Sequence, residues 1–78
     1  MADSSKTYVE IIRELREDHD LTQADVAGIL NTTQQVYSRY EKGQNALPIR
    51  HLLTLCDYYN VDTDYVLGKS TQKKRGSA

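Results

Sequence analysis

The chain has 78 residues, of which 38% are hydrophobic and 27% charged, with a net charge of -1. That fits one small domain and leaves too little chain for two independent cores, which excludes most enzymes. Its single cysteine, Cys56, rules out an internal disulfide and a thiolate zinc cluster, so stability has to come from packed secondary structure. No apolar run approaches the ~20 residues of a bilayer span, and residues 1–6 lack the apolar segment of a secretory signal, so the expected location is cytoplasmic, with no membrane partner.

Taken in chain order, the pattern is helical throughout. Thr7 and Glu10 have capping-box spacing, and Tyr8, Ile11, Ile12 and Leu15 then recur at i, i+3, i+4, i+7 to form the apolar face of a first helix. Thr22 caps a second helix starting at Gln23, with Asp25 closing its capping box, Leu21 stapling against Val26, and Val26, Ala27 and Leu30 facing inward. Asn31 accepts the left-handed backbone that ends a helix. Thr32 or Thr33 caps the third, which runs to Lys42, stops at Gly43 and turns Tyr37 and Tyr40 inward. Pro48 suits the first turn of a fourth helix whose stripe is Ile49, Leu52, Leu53 and Cys56. Asp62 stands as N-cap of a last turn carrying Tyr65, Val66 and Leu67 before Gly68. Residues 69–78, with four Lys/Arg and no acid, read as a basic disordered tail. No segment alternates as a half-buried strand would, so the fold class is all-α.

Two short helices joined by a three- to four-residue turn outline a helix-turn-helix over about residues 22–42. Ala27 permits a close helix crossing, Asn31 supplies the positive φ, and Val26, Leu30, Tyr37 and Tyr40 supply the apolar residues that hold the angle. Three segments then match in order: Leu21-Thr22-Gln23-Ala24-Asp25-Val26-Ala27, Tyr37-Ser38-Arg39-Tyr40-Glu41-Lys42-Gly43, and Asn60-Val61-Asp62-Thr63-Asp64-Tyr65-Val66-Leu67-Gly68. Together they resemble the Cro/phage-repressor (XRE) family. The resemblance implies a five-helix, lambda-repressor-like DNA-binding domain over residues 1–68, whose third helix enters the major groove of double-stranded DNA. Two departures stand out: Asn31 holds a slot often filled by glycine, and Tyr37 replaces the usual Ile or Val. The Tyr37 hydroxyl is therefore expected to reach the surface or a partner.

The same resemblance points Gln34 and Gln35 at base edges, and a glutamine amide offers the donor and acceptor that match adenine N6 and N7. Thr32-Thr33-Gln34-Gln35 is similar to the opening of a phage-repressor reading helix, which implies adenine for Gln34, guanine for Gln35 and a thymine methyl near Thr33. Arg39 reaches guanine or a phosphate, and Ser38 a phosphate or base edge. Gln23, at the start of the second helix, offers its amide and a backbone N–H to a phosphate, and Lys42, Gln44 and Asn45 are placed for a neighbouring one. Family likeness also pairs Arg16 with Glu41 as a structural ion pair. Tyr58, Tyr65 and Val66 are candidates for a homodimer face.

Each residue also has a plainer use. Gln35 lies three after Thr32 and would close a capping box there; Gln34 and Gln23 suit solvated surface; Arg39 suits a surface ion pair. His19, between Asp18 and Asp20, fits a polar turn better than a metal cluster. His51 is isolated, Cys56 is a small core residue, and Asp62 and Asp64 lack the rest of a calcium loop. With no acid–base constellation, metal set or cofactor motif, the expectation is a non-enzyme without cofactor. The resemblance implies instead a sequence-specific transcriptional regulator, a repressor acting as a homodimer on a palindromic operator. The alternative is an antitoxin-like protein-interaction module with secondary DNA binding, its protein partner unknown.

Overall fold

The computed structural model describes residues 7–68; the tail expected over residues 69–78 lies outside them. All regular structure among the described residues is helical: α1 (Tyr8–Asp18), α2 (Gln23–Ile29), α3 (Gln34–Glu41), α4 (Ile49–Tyr59) and α5 (Thr63–Val66). The first two helices begin as their sequences dictate. Thr7 accepts from the Glu10 N–H while Glu10 reaches back to the Thr7 N–H, and Thr22 and Asp25 repeat the exchange. Of the two candidate caps for α3, Thr33 is the one used, its hydroxyl accepting from the Val36 N–H at 3.2 Å. The α3 cap therefore leaves Gln35 out of a capping box.

Four helices close with the same device. Asp20, Asn31, Gly43 and Asn60 all have positive φ, between 57° and 75°. At each, the N–H bonds the carbonyl three residues back and the next N–H bonds the one five back: Asp20 to Glu17 and Leu21 to Arg16, Asn31 to Gly28 and Thr32 to Ala27, Gly43 to Tyr40 and Gln44 to Arg39, Asn60 to Asp57 and Val61 to Cys56. These paired bonds satisfy the last carbonyls of each helix and reverse the chain tightly. Asp and Asn tolerate the left-handed region better than other non-glycine residues, which is why three of the four stops need no glycine.

The core is built from Ile11, Ile12 and Leu15 of α1, Val26, Ala27 and Leu30 of the second helix region, Tyr37 and Tyr40 of α3, Leu55, Cys56 and Tyr59 of α4, and Val61 and Val66 beyond it. Helices α2 and α3 pack on each other more extensively than any other pair. Tyr8 on α1 accepts the Leu47 N–H through its hydroxyl at 3.3 Å, pinning the loop between α3 and α4 to the core.

Four expectations need correction. The α4 stripe is rotated: His51, Leu55, Cys56 and Tyr59 are buried, Leu52 is half-buried, and Ile49 and Leu53 are 74% and 52% exposed. The four apolar residues do share one side of the helix, but the core meets α4 at an adjoining arc that the i, i+3, i+4, i+7 spacing cannot distinguish from it. Pro48 is the N-cap of α4, one residue before its first turn. Asp62 occupies the N-cap position of α5 without a side-chain cap bond. Finally, the Tyr37 ring is completely buried and its hydroxyl neither reaches the surface nor forms a well-aligned hydrogen bond, although the Glu41 carboxylate is close enough to act on it. Burial pushes the phenol well above its ordinary value, so it stays neutral.

Candidate nucleic-acid interface

The outward side of α3 is positioned by what its inward side contacts. Tyr37 and Tyr40 lie edge-on to one another with ring centroids 6.2 Å apart, and both are buried. With those two positions locked inward, Gln34, Gln35, Ser38, Arg39 and Lys42 fall on the opposite arc of the helix. Together with Gln44 from the following loop they line one open depression of about 300 Å³. Six side chains named from sequence thus come together on one surface. All are exposed except Ser38, which is half-buried. Thr33 stands at the N-terminal end of this arc, exposed, with one lone pair engaged by the Val36 N–H. Asn45 is exposed outside the lining, and its backbone N–H donates to the Arg39 carbonyl at 3.3 Å.

The electrostatics of that arc follow from the fate of one acid. Glu41, the only carboxylate on α3, turns away from the depression into the core, where its side chain is 3% exposed. There Arg16 grips it in a fork, Nε to Oε2 at 2.8 Å and Nη2 to Oε1 at 3.1 Å. The third guanidinium nitrogen, Nη1, donates to the Leu21 carbonyl at 2.9 Å, and Gln23 donates from Nε2 to Glu41 Oε1 at 3.1 Å. One arginine therefore ties the end of α1, the entry to α2 and the end of α3 into a single junction. Burial acts to raise the Glu41 pKa, but the hydrogen bonds from Arg16 and Gln23, with the Tyr37 hydroxyl close by, outweigh it and hold the carboxyl below its ordinary value. Its charge is thus spent internally, and Arg39 and Lys42 leave the depression cationic.

Gln23 departs from its expected orientation. Its amide faces Glu41 instead of solvent, although the residue still stands first in α2, where backbone N–H groups lack partners within the helix. The dimer candidates also separate. Tyr58 is exposed, Tyr65 is half-buried, and Val66 is completely buried in the core, so Val66 cannot contact another chain. No simple spacing rule shows this for a single-turn helix such as α5. His19 serves as the C-cap of α1, with Nδ1 2.8 Å from the Leu15 carbonyl and its ring against Tyr59 at 4.8 Å. The structure adds two contributors that sequence reasoning passed over: Gln23 as the third member of the Glu41 junction, and Tyr8 as the anchor of the loop that carries Gln44.

A family profile described as helix-turn-helix matches residues 12–66. The chain belongs to this helix-turn-helix family. Among relatives of the domain, the HTH-type transcriptional regulator ImmR of Bacillus subtilis is 36% identical over 64 residues, covering 82% of this chain and 50% of ImmR. Antitoxin PezA of Streptococcus pneumoniae is 33% identical over 58 residues, covering 74% of this chain and 37% of PezA. The chain thus spans half the length or less of these two curated relatives. In three dimensions the helix-turn-helix domain superposes on the P22 c2 repressor, solved in complex with a synthetic operator, with a TM-score of 0.75 at 21% identity, covering 85% of this chain and all of that one. The likeness establishes the five-helix, phage-repressor-like fold. Among the described residues no helix is long and apolar enough to cross a membrane.

Proposed function

We propose that this helix-turn-helix protein is a sequence-specific regulator of transcription, a cytoplasmic repressor that binds double-stranded DNA by contact alone, as a homodimer on a palindromic operator. The observation that carries this reading is the depression along α3 lined by Gln34, Gln35, Ser38, Arg39, Lys42 and Gln44, cationic because Glu41 is turned inward and paired with Arg16. Gln34 and Gln35 offer paired donor and acceptor groups to purine edges, Thr33 its methyl to thymine, Arg39 a fork for guanine, and Ser38 a hydroxyl. Lys42, Gln44 and Asn45 hold one stretch of phosphates. Gln23 contributes through its backbone N–H at the head of α2, while its amide stays with Glu41. With two exposed cations on the reading face, one head grips weakly. Two heads on half-sites about 34 Å apart raise both affinity and specificity.

Selection from a randomised duplex library at two salt concentrations tests the proposal. Wild type enriches a two-fold-symmetric site, and Gln34→Ala and Arg39→Ala each relax preference at their own positions by ~1–3 kcal/mol. Binding that is uniform across sequences and vanishes with salt sinks it. The similarity to an antitoxin supports a second reading, a module that sequesters another protein with DNA binding secondary. In that case the same library yields no enriched site, and substitutions on α3 leave the protein partner bound.

A further inference from the structure

A second depression, of about 370 Å³, shares no residue with the one along α3. The end of α2, the turn that follows it, Tyr40 of α3 and the start of α4 line it together. His51 is the polar residue set deepest among them. It is 8% exposed, its ring lies edge-on to Tyr40 with centroids 5.9 Å apart, and among the described residues no group hydrogen-bonds its ring nitrogens. A buried polar group without a partner is costly, and a ligand that supplies the missing hydrogen bond recovers that cost. Burial, with Arg50 as a lesser cause, lowers the His51 pKa, so at neutral pH the ring is an uncharged imidazole with one donor and one acceptor nitrogen.

The charge around this imidazole has one sign. Arg50 lines the same depression, is exposed, and forms no ion pair with any described residue, and no acidic side chain lines the depression. Both residues stand in the first turn of the eleven-residue α4, where the helix dipole is positive. The carbonyls that end α2 would oppose an anion, but those of Ala27 and Gly28 already accept the Thr32 and Asn31 N–H groups at 2.9 and 3.1 Å. One guanidinium beside a neutral imidazole balances one negative charge. A carboxylate therefore matches the site, whereas a tetrahedral dianion leaves its second charge unmet. The volume lies at the lower end of the range of about 300–1,000 Å³ for small-molecule sites, and Ile29 and Leu30 give it an apolar wall for a short hydrocarbon body.

We infer that this depression is a binding site for a small organic monocarboxylate, held by the Arg50 guanidinium and the His51 imidazole. The guanidinium takes the two carboxylate oxygens as a fork, and His51 donates a hydrogen bond from one ring nitrogen. Tyr40 is shared between this site and the core contact with Tyr37 that fixes the inward side of α3, so an occupant touches the helix whose opposite arc carries Gln34 and Arg39. The site goes beyond the DNA reading and does not depend on it, since no residue of the polar arc of α3 takes part.

Amide NMR titration of the full chain at neutral pH with sodium butyrate, to about 50 mM against sodium chloride at matched ionic strength, tests the inference. Wild type shows saturable shifts centred on Asn31, Thr32, Arg50 and His51, and sulfate, a dianion of tetrahedral shape, binds at least about threefold more weakly. Arg50→Gln, at an exposed position, leaves thermal melting unchanged and weakens butyrate binding at least about tenfold. His51→Leu weakens it about three- to tenfold. Arg13→Gln, at an exposed cation of α1 outside the depression, leaves it unchanged. A wild type without saturable shifts, shifts that chloride reproduces, tighter binding of sulfate than of butyrate, or an unaffected Arg50→Gln overturns the inference. A duplex of arbitrary sequence that moves these resonances when butyrate does not makes the occupant a DNA backbone phosphate, and overturns it equally.

Discussion

The α2–α3 pair and α4 are neighbours in one small core, yet their orientations are set in different ways. Around α2 and α3 each local choice points to the same arrangement: Thr22 and Thr33 cap, Asn31 and Gly43 stop, Tyr37 and Tyr40 lock the inward side, and Arg16 clamps Glu41 from a third helix. On α4 the N-cap makes no side-chain hydrogen bond, and the buried arc is displaced from the hydrophobic stripe. The rotation of α3 is thus specified by several independent devices, as the proposed reading role would require, since a turn of a few tens of degrees would move the outward arc of Gln34 and Arg39. A supporting helix needs only enough contact to complete the core, and its remaining apolar surface is free for another use.

The contrast breaks most readily at the clamp. Arg16→Ala leaves Glu41 buried without its cation and is expected to cost ~3–5 kcal/mol in urea unfolding, with operator binding lost as a consequence. A cost under about 1 kcal/mol would place the rotation of α3 on the tyrosines alone. The same carboxylate makes stability depend on pH. Its folded pKa lies below the ordinary 4.5, so its contribution is intact above about pH 4.5 and is lost as pH falls through the lower folded value. Thermal melting followed from pH 6 down to about pH 2 therefore drops in acid, and Glu41→Gln flattens that part of the profile.

On α4, paired truncations sharpen the comparison. Leu55→Ala, at 1% exposure, is expected to cost about 2–5 kcal/mol, whereas Leu53→Ala, at 52%, changes the stability of dilute monomer by less than about 0.5 kcal/mol. Equal costs would mean that the stripe read from spacing is the true core face. The smallest effect belongs to Tyr37→Phe. Because the buried hydroxyl lacks a well-formed hydrogen bond, its removal is neutral or stabilising by up to about 1 kcal/mol in differential scanning calorimetry. A loss beyond about 1 kcal/mol would show that Glu41 depends on that phenol.

Much of this architecture was legible in the residues because it rests on local chemistry. Capping boxes at Thr7 and Thr22, the positive φ at Asn31 and Gly43, and the inward Val26, Ala27, Leu30, Tyr37 and Tyr40 involve groups within a few positions of one another, where residue type and spacing nearly determine geometry. The polar arc of α3 follows by subtraction once the tyrosines face inward. The positive φ at Asp20 and Asn60 was equally local, but it lay in residues read for their charge or family likeness instead of their backbone tolerance.

By itself, then, the sequence determined the number and approximate limits of the helices, the outward polar arc of α3 and the absence of an internal disulfide, since each depends on period, caps or composition. Tertiary structure decided which arc of α4 is buried, that Val66 is core, that the Tyr37 hydroxyl is sealed in, and that Gln23 turns to Glu41. Those outcomes depend on how helices distant in the chain cross. A crossing angle set by the summed packing of several helices leaves no periodic trace in any one of them.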